Sequence, residues 1–201
     1  MITAIIEKQT NTKTPGKLCN AALKAISNFE FFCSNFINLL NPNGIYPFIL
    51  NDSQKIMNAK FDKLESGIVS LMSSDRQKGK TTFLLAKSLY EALFFNKKVI
   101  VITHSENQKR FHMKKVLFWI SKNTDLSQLV EFVNGVKSSK RNEIAFFNGG
   151  SIKFCSSSEP MAGLQADLVL MDEFNFFNEN DSDPARYLLT GAKVFGVSSD
   201  C

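Results

Sequence analysis

The chain has 201 residues, 44% of them hydrophobic, and a formal net charge of +5 at pH 7. That is enough to bury one substantial core with a small appendage, and it excludes two full enzyme domains. No run reaches the about 18 apolar residues of a membrane span, residues 1–16 lack a signal-peptide core, and the charge permits a polyanionic partner without demanding one. Cys19, Cys33, Cys155 and Cys201 show no C-x-x-C spacing, and His104 and His112 stand apart. Both patterns argue for reduced thiols in a cytoplasmic protein and against a zinc site.

Residues 1–17, rich in Thr and Lys, are expected to be unordered or loosely docked. Residues 21–40 carry two helical stretches, the second dense in Phe29, Phe31, Phe32 and Phe36, and end at the turn signal Asn41, Pro42, Asn43, Gly44. Residues 1–45 thus read as a helical extension packing on a core formed by residues 46–201. Asp52 or Ser53 is placed to cap a helix reaching about residue 63.

The apolar segment 67–72 reads as a buried strand, and it runs directly into Ser74, Asp75, Arg76, Gln77, Lys78, Gly79, Lys80, Thr81 and Thr82. This is the pattern of a phosphate-binding loop that leaves a strand and opens a helix. Gly79 removes a Cβ from the path of the phosphates, and the amides that follow point at the anion from a helix N-terminus. Lys80 reaches the β- and γ-phosphates and the Thr81 hydroxyl ligates Mg²⁺, so the expected ligands are ATP and Mg²⁺. The pattern G-x-x-x-x-G-K-[ST] asks for Gly where Ser74 stands.

Phe83, Ala86, Leu89, Tyr90, Leu93 and Phe94 mark one side of a helix running to about residue 96, and residues 99–102 form the next strand. Met113, Val116, Leu117 and Ile120 mark the buried side of a second helix, with Lys109, Arg110, Lys114 and Lys115 on its outer side. Residues 129–134 read as a strand and 137–141 as a basic loop. Residues 143–147 and 152–155 flank Asn148, Gly149 and Gly150 as a hairpin. The apolar run 168–171 delivers Asp172 and Glu173 to the carboxyl edge of the sheet, where open α/β sheets bind ligands. Asp172 is expected to hold the Mg²⁺ shell, and Glu173 to orient and deprotonate the attacking water. A short helix over 184–189 and a last strand over 193–197, ending at Ser198 and Ser199, complete the chain.

Taken in order, Phe48, Ile49, Leu50 with Gln54, the run 75–82, the hairpin 147–152, Gly163, residues 168–173 and Val197, Ser198, Ser199 resemble the ATPase domain of the viral terminase large subunit, the DNA-packaging motor of tailed bacteriophages. The resemblance covers residues 46 to 201, and the run from Arg76 to Thr82 is its most specific part. It implies an α/β P-loop NTPase of the additional-strand, catalytic-glutamate type, with a mainly parallel sheet sandwiched by helices and a small β-hairpin. It also implies that Gln54 reads the adenine edge, that Arg76 senses or stabilises phosphate charge, and that Ser198 and Ser199 couple hydrolysis to movement. The implied partners are double-stranded DNA, a viral portal, a small terminase subunit and further copies of the chain in a ring, in the host cytoplasm. The resemblance implies an Arg immediately before the Gly matching Gly163, where this chain has Ala162, so either Arg76 or another residue such as Arg186 takes the finger role or the domain is slow. The family's large subunit continues into a nuclease domain, and none is expected within residues 1–201.

Lys109, Arg110, Lys114, Lys115, Lys137, Lys140 and Arg141 form either solvated faces or sequence-blind contacts with the DNA backbone. The acidic residues of 179–183 read as a solvated loop. Two rivals share the motifs: a helicase-like ATPase stimulated by nucleic acid, and a nucleotide-binding module from a split or truncated terminase that does not hydrolyse.

Overall fold

In the computed structural model, residues 16–75, 77–133, 135–140, 142–159, 164–177 and 191–199 are described. The first helices, α1 (Gly16–Ser27) and α2 (Phe29–Phe36), are followed by the strands β1 (Asn38–Asn41) and β2 (Gly44–Pro47). The second helical stretch therefore ends sooner than its sequence pattern suggests. Residues 38–41 instead pair antiparallel with 44–47 across the Pro42–Asn43 turn. Helix α3 (Asp52–Asp62) is capped by Asn51, one residue before the expected caps, in a capping box with Gln54.

The main sheet comprises β3 (Val69–Ser74), β4 (Lys98–Thr103), β5 (Val136–Lys140), β6 (Glu143–Phe146), β7 (Ser151–Ser156), β8 (Leu168–Asp172) and β9 (Lys193–Ser199), in the spatial order β3-β9-β8-β4-β7-β6-β5. The first five in that order are mutually parallel; β6 pairs antiparallel with β7, and β5 antiparallel with β6. Strand β9 lies between the strand entering the phosphate loop and the strand ending in the acid pair, which is the additional-strand order. The central strands are apolar on both faces. Leu168 and Leu170 of β8 belong to one buried cluster, while Val169 and Met171 belong to the other.

On the larger side lie α4 (Lys80–Phe95), α5 (Glu106–Lys122) and α6 (Thr124–Val133). Helix α4 is buried on nearly every side from Phe83 to Phe94, because α2 packs over the surface that the sheet leaves open. Phe29 meets Phe83 edge-on at 5.7 Å, Phe32 meets Phe94 at 5.6 Å, and the Tyr90 hydroxyl donates to Ile26 O at 2.6 Å. Lys87 of α4 is buried beneath these rings, bonded to Asn58 and Asp62 of α3 and lying 4.4 Å from the Phe29 and Phe61 centroids. At the far end of α4 the Asn148 amide donates to Ala92 O and Leu93 O, occupying carbonyls left open by the helix terminus. The hairpin of β6 and β7 is formed as expected, with Ile144 opposite Ile152.

Two assignments differ from the expectation. Residues 129–133 are the second half of α6, because Leu126, Leu129 and Val130 are buried together at helical spacing and Asn123 Oδ1 accepts from the amides of Asp125 and Leu126. Residues 136–140 form the edge strand β5 rather than a loop. The lysines there suit an edge, where charge discourages further strand pairing. The extension 1–15, the basic residue Arg141, Ala162 and Gly163, the acidic run 179–183, the helix expected over 184–189, Arg186 and Cys201 lie outside the described residues, as do the side chains of Cys19 and Lys140. No described helix is long and apolar enough to cross a membrane. Cys33 and Cys155 are buried and unpaired with one another.

Candidate functional site

The carboxyl ends of β3, β9 and β8 meet at one edge, where Ser74 is level with Ser199 and Asp172 with Val197. Strand β3 leaves that edge into the loop 75–79, and α4 begins at Lys80. The loop turns through left-handed backbone at Gln77 (φ 61°) and Gly79 (φ 71°). The left-handed conformation favours glycine at 79, and a Cβ there would lie 2.6 Å from Gln54 Nε2 and displace the end of that side chain.

Gln54 is 3% exposed, and both ends of its amide are engaged: Oε1 accepts from Asn51 N at 2.9 Å, and Nε2 donates to Gly79 O at 3.0 Å. The Asn51 amide donates to Lys78 O at 3.1 Å. The N-terminus of α3 therefore grips the loop through two side-chain bonds. Lys80, 4% exposed, curls back so that Nζ donates to Asp75 O at 2.7 Å. Lys78 pairs at 3.6 Å with the exposed Asp75.

Loop and acid pair are joined directly. The Thr81 hydroxyl lies 2.9 and 3.1 Å from the two carboxylate oxygens of Asp172, donating its one proton between them. Asp172 is 1% exposed, and burial pushes its carboxyl up to about 6; the Thr81 bond, Lys80 and Lys115 act downward and Glu173 upward. Thr81 and Asp172 supply hard oxygen donors, and a cation would relieve the unfavourable charge buried on Asp172, so this donor set fits Mg²⁺.

Glu173 follows in left-handed backbone (φ 55°), which turns its carboxylate back toward β9. The Ser199 amide donates to Oε2 at 3.1 Å and its hydroxyl to Oε1 at 2.9 Å. Two residues after Glu173, Asn175 N donates to Ser198 Oγ at 3.4 Å and Asn175 Nδ2 to Ser199 O at 3.0 Å. Gly196 permits this approach, since a Cβ there would lie 2.6 Å from Leu71 Cδ2 and 3.2 Å from Phe174 Cδ1.

Thus Lys80, Thr81, Asp172, Glu173, Ser198 and Ser199 come together at one edge, with Gln77, Lys78, Gly79 and the clamp Gln54 beside them. Arg76 lies outside the described residues, as does the Ser74 side chain.

Helix α5 supplies a wall that sequence reasoning missed. His112 is buried, with Nε2 3.4 Å from Asp172 Oδ2, and burial, then Lys115 and His104, lower its pKa to about 4. It is neutral at pH 7. Lys115 Nζ donates to Thr82 Oγ1 at 2.8 Å, and its burial lowers the ammonium pKa. Lys109, 2% exposed, bridges Glu106 at 2.6 Å and Glu159. Lys109 and Lys115 therefore face inward, contrary to the expected outer placement, while Arg110 and Lys114 remain exposed. The signal lay in the spacing: Lys109 is one helical step before Met113 on the buried stripe, and 104, 108 and 112 repeat every four residues. His104, Gln108, Gln77, Glu173, Phe176 and Ser199 line a cavity of about 380 Å³.

A buried oxygen pair joined to a glycine-turned loop at a helix N-terminus, with a second carboxylate beside it, can hold a polyphosphate and its cation and steer a water toward them. Comparison with known proteins bears on the fold and the family. No curated protein matches the chain in sequence. Among solved structures, the HK97 bacteriophage large terminase superposes with a TM-score of 0.66 at 17% identity, over 87% of this chain and 37% of that one. The large terminase ATPase domain of Thermus phage P74-26 superposes with a TM-score of 0.50 at 14% identity, over 66% of this chain and 59% of that domain. The chain thus spans less than two thirds of the length of either. The family model described as terminase large subunit, T4likevirus-type, N-terminal, matches residues 71–184, more than half of the chain and inclusive of the whole loop and the acid pair. The chain belongs to the terminase large subunit family.

Proposed function

We propose that this chain is the ATP-hydrolysing motor domain of a DNA-packaging machine, driving double-stranded DNA into a procapsid in the host cytoplasm. The observation that carries the reading is the Thr81–Asp172 hydrogen bond, which brings the phosphate loop and the strand-end acid to one point. Lys80 would leave Asp75 O for the β- and γ-phosphates, and the loop amides would cradle them. Thr81 and Asp172 would hold Mg²⁺, which when bound neutralises charge on the phosphate oxygens. Glu173 orients the attacking water and takes its proton, leaving the γ-phosphorus open to in-line attack. Arg76 stabilises charge on the phosphates; Gln54 anchors the loop, and to read the adenine edge it would have to give up its bonds to Asn51 N and Gly79 O. Ser198 and Ser199 couple the γ-phosphate state to movement, a role supported by their bonds to Glu173 and Asn175. The exposed Arg110, Lys114 and Lys137 are available for the DNA backbone, a contact that salt would weaken. A portal, a small terminase subunit and a ring of copies complete the assembly.

Single-turnover hydrolysis of ATP with Mg²⁺ tests the reading. Glu173→Gln is expected to bind ATP normally and lose hydrolysis, and Lys80→Ala to lose both. Equal rates in the wild-type chain and both variants would remove this site from the chemistry.

A further inference from the structure

Helix α5 and strand β1 flank a hollow of about 650 Å³ beside the first turn of α4. Trp119, 2% exposed, lies at its floor, and its sides carry apolar groups left open to solvent: Leu40 is 66% exposed, Phe111 62% and Phe118 39%. Apolar residues scattered singly over a surface are ordinary, but three that converge on one concave space of ligand size mark a place for an apolar occupant.

The hollow reaches the phosphate-loop helix. Thr81 and Thr82 diverge by one helical step, about 100°. Thr81 turns to Asp172, and Thr82 lines the hollow, where its hydroxyl accepts from Lys115 Nζ at 2.8 Å. Lys115 spends one of its three N–H donors there, lies 5.4 Å from the Trp119 ring, and has no carboxylate within ion-pair distance among the described residues. Burial lowers its ammonium pKa against the pull of Asp172. A half-buried cation with donors to spare is short of an anion. On the other side of the loop, Gln54 is engaged at both ends of its amide and offers a nucleobase no free edge.

Resting on the ATPase reading above, we infer that this hollow is the nucleoside subsite: the base of ATP packs against Leu40, Phe111 and Phe118, and Lys115 leaves Thr82 to pair with the α-phosphate. The occupant follows from continuity and charge. Asp172 and Glu173 set the γ end of the triphosphate, so its other end leaves the first turn of α4 on the Thr82 side. There it meets a cation and then an aromatic wall, in the order in which a nucleotide presents α-phosphate and base. The base covers apolar surface that water otherwise wets, and Lys115 gains the counter-charge that no described residue provides.

The test measures the affinity of the full chain, with Mg²⁺, for a non-hydrolysable ATP analogue and for inorganic tripolyphosphate, which has the phosphates without the nucleoside. Wild type is expected to hold the analogue more tightly. Leu40→Ser combined with Phe111→Ser, both at exposed positions, is expected to weaken the analogue about 10-fold and leave tripolyphosphate unchanged. Lys115→Met, which keeps the stem and removes the charge, is expected to weaken both about 30-fold. Equal affinities of wild type for the two ligands would overturn the subsite while leaving the ATPase reading in place, and so would a double variant that binds the analogue as wild type does or loses both ligands alike. Unchanged affinities in Lys115→Met would overturn the role of Lys115. A double variant that changes the oligomeric state with nucleotide affinity intact would overturn the inference in favour of a second copy of the chain. A wild-type chain that binds neither ligand would sink the ATPase reading and this inference together.

Discussion

Replacing Asp172 by Asn is expected to stabilise the cation-free protein at neutral pH while disabling it. Burial raises the Asp172 carboxyl from 3.8 to about 6, so above pH 6 the folded state carries a charge that it holds less comfortably than the unfolded chain does. The sign follows from linkage. Between those two values the folded state binds more protons than the unfolded one, and stability falls as pH rises through the window. The rise corresponds to a ceiling of about 3 kcal/mol. An amide at the same place still accepts from Thr81, but more weakly than a carboxylate by about 1 kcal/mol. The net expectation is a gain of about 1–2 kcal/mol at pH 7.5 and none at pH 4, where the native acid is already neutral. Urea unfolding at the two pH values, in chelator, measures it. A variant that is less stable than wild type at pH 7.5, or whose difference does not change with pH, would refute the reasoning about buried charge. If the gain appears, Asp172 is a site where stability has been given up for function.

Two other outcomes follow from the same contacts. Gln54→Ala removes the half of the α3 capping box in which Gln54 Oε1 accepts from Asn51 N, and the bond to Gly79 O, so it should cost about 1–2 kcal/mol in urea unfolding and weaken ATP binding; unchanged stability and affinity would show that the clamp is idle. His112→Gln removes a buried neutral imidazole whose folded pKa, about 4, lies below its ordinary 6.5. In the wild type, stability should fall as pH drops from 6.5 toward 4, because the unfolded chain takes the proton first. The variant should therefore gain on wild type across that window, and a pH-independent difference between them would contradict the assignment.

The parts of the site legible in sequence were those written in contiguous residues. Gly79, Lys80 and Thr81 after an apolar strand, and Asp172 and Glu173 at the end of another, carry their geometry locally, since a strand delivers its last residue to the sheet edge whatever else the chain does. The hairpin through Asn148 to Gly150 was visible for the same reason. What escaped depended on partners far along the chain. Lys109 looks like a surface charge until Glu159 is brought beneath it, and Lys115 until Thr82 is. Residues 129–133 resemble a strand in a five-residue window, and Leu126 reveals the helical spacing only when the window widens. Gln54 could be singled out by resemblance, but its grip on the loop needed the 25-residue separation to be closed in space.

The central claim is that one polyphosphate with its cation is shared between the loop and the strand-end acid. A crystal structure of the chain with Mg²⁺ and a non-hydrolysable ATP analogue tests it most directly. The account predicts Lys80 Nζ moved from Asp75 O onto the β- and γ-phosphates, with Thr81 and Asp172 parted around the metal and Glu173 facing the γ-phosphate across the cavity that it lines. An analogue bound elsewhere, with the Thr81–Asp172 hydrogen bond intact, would contradict it.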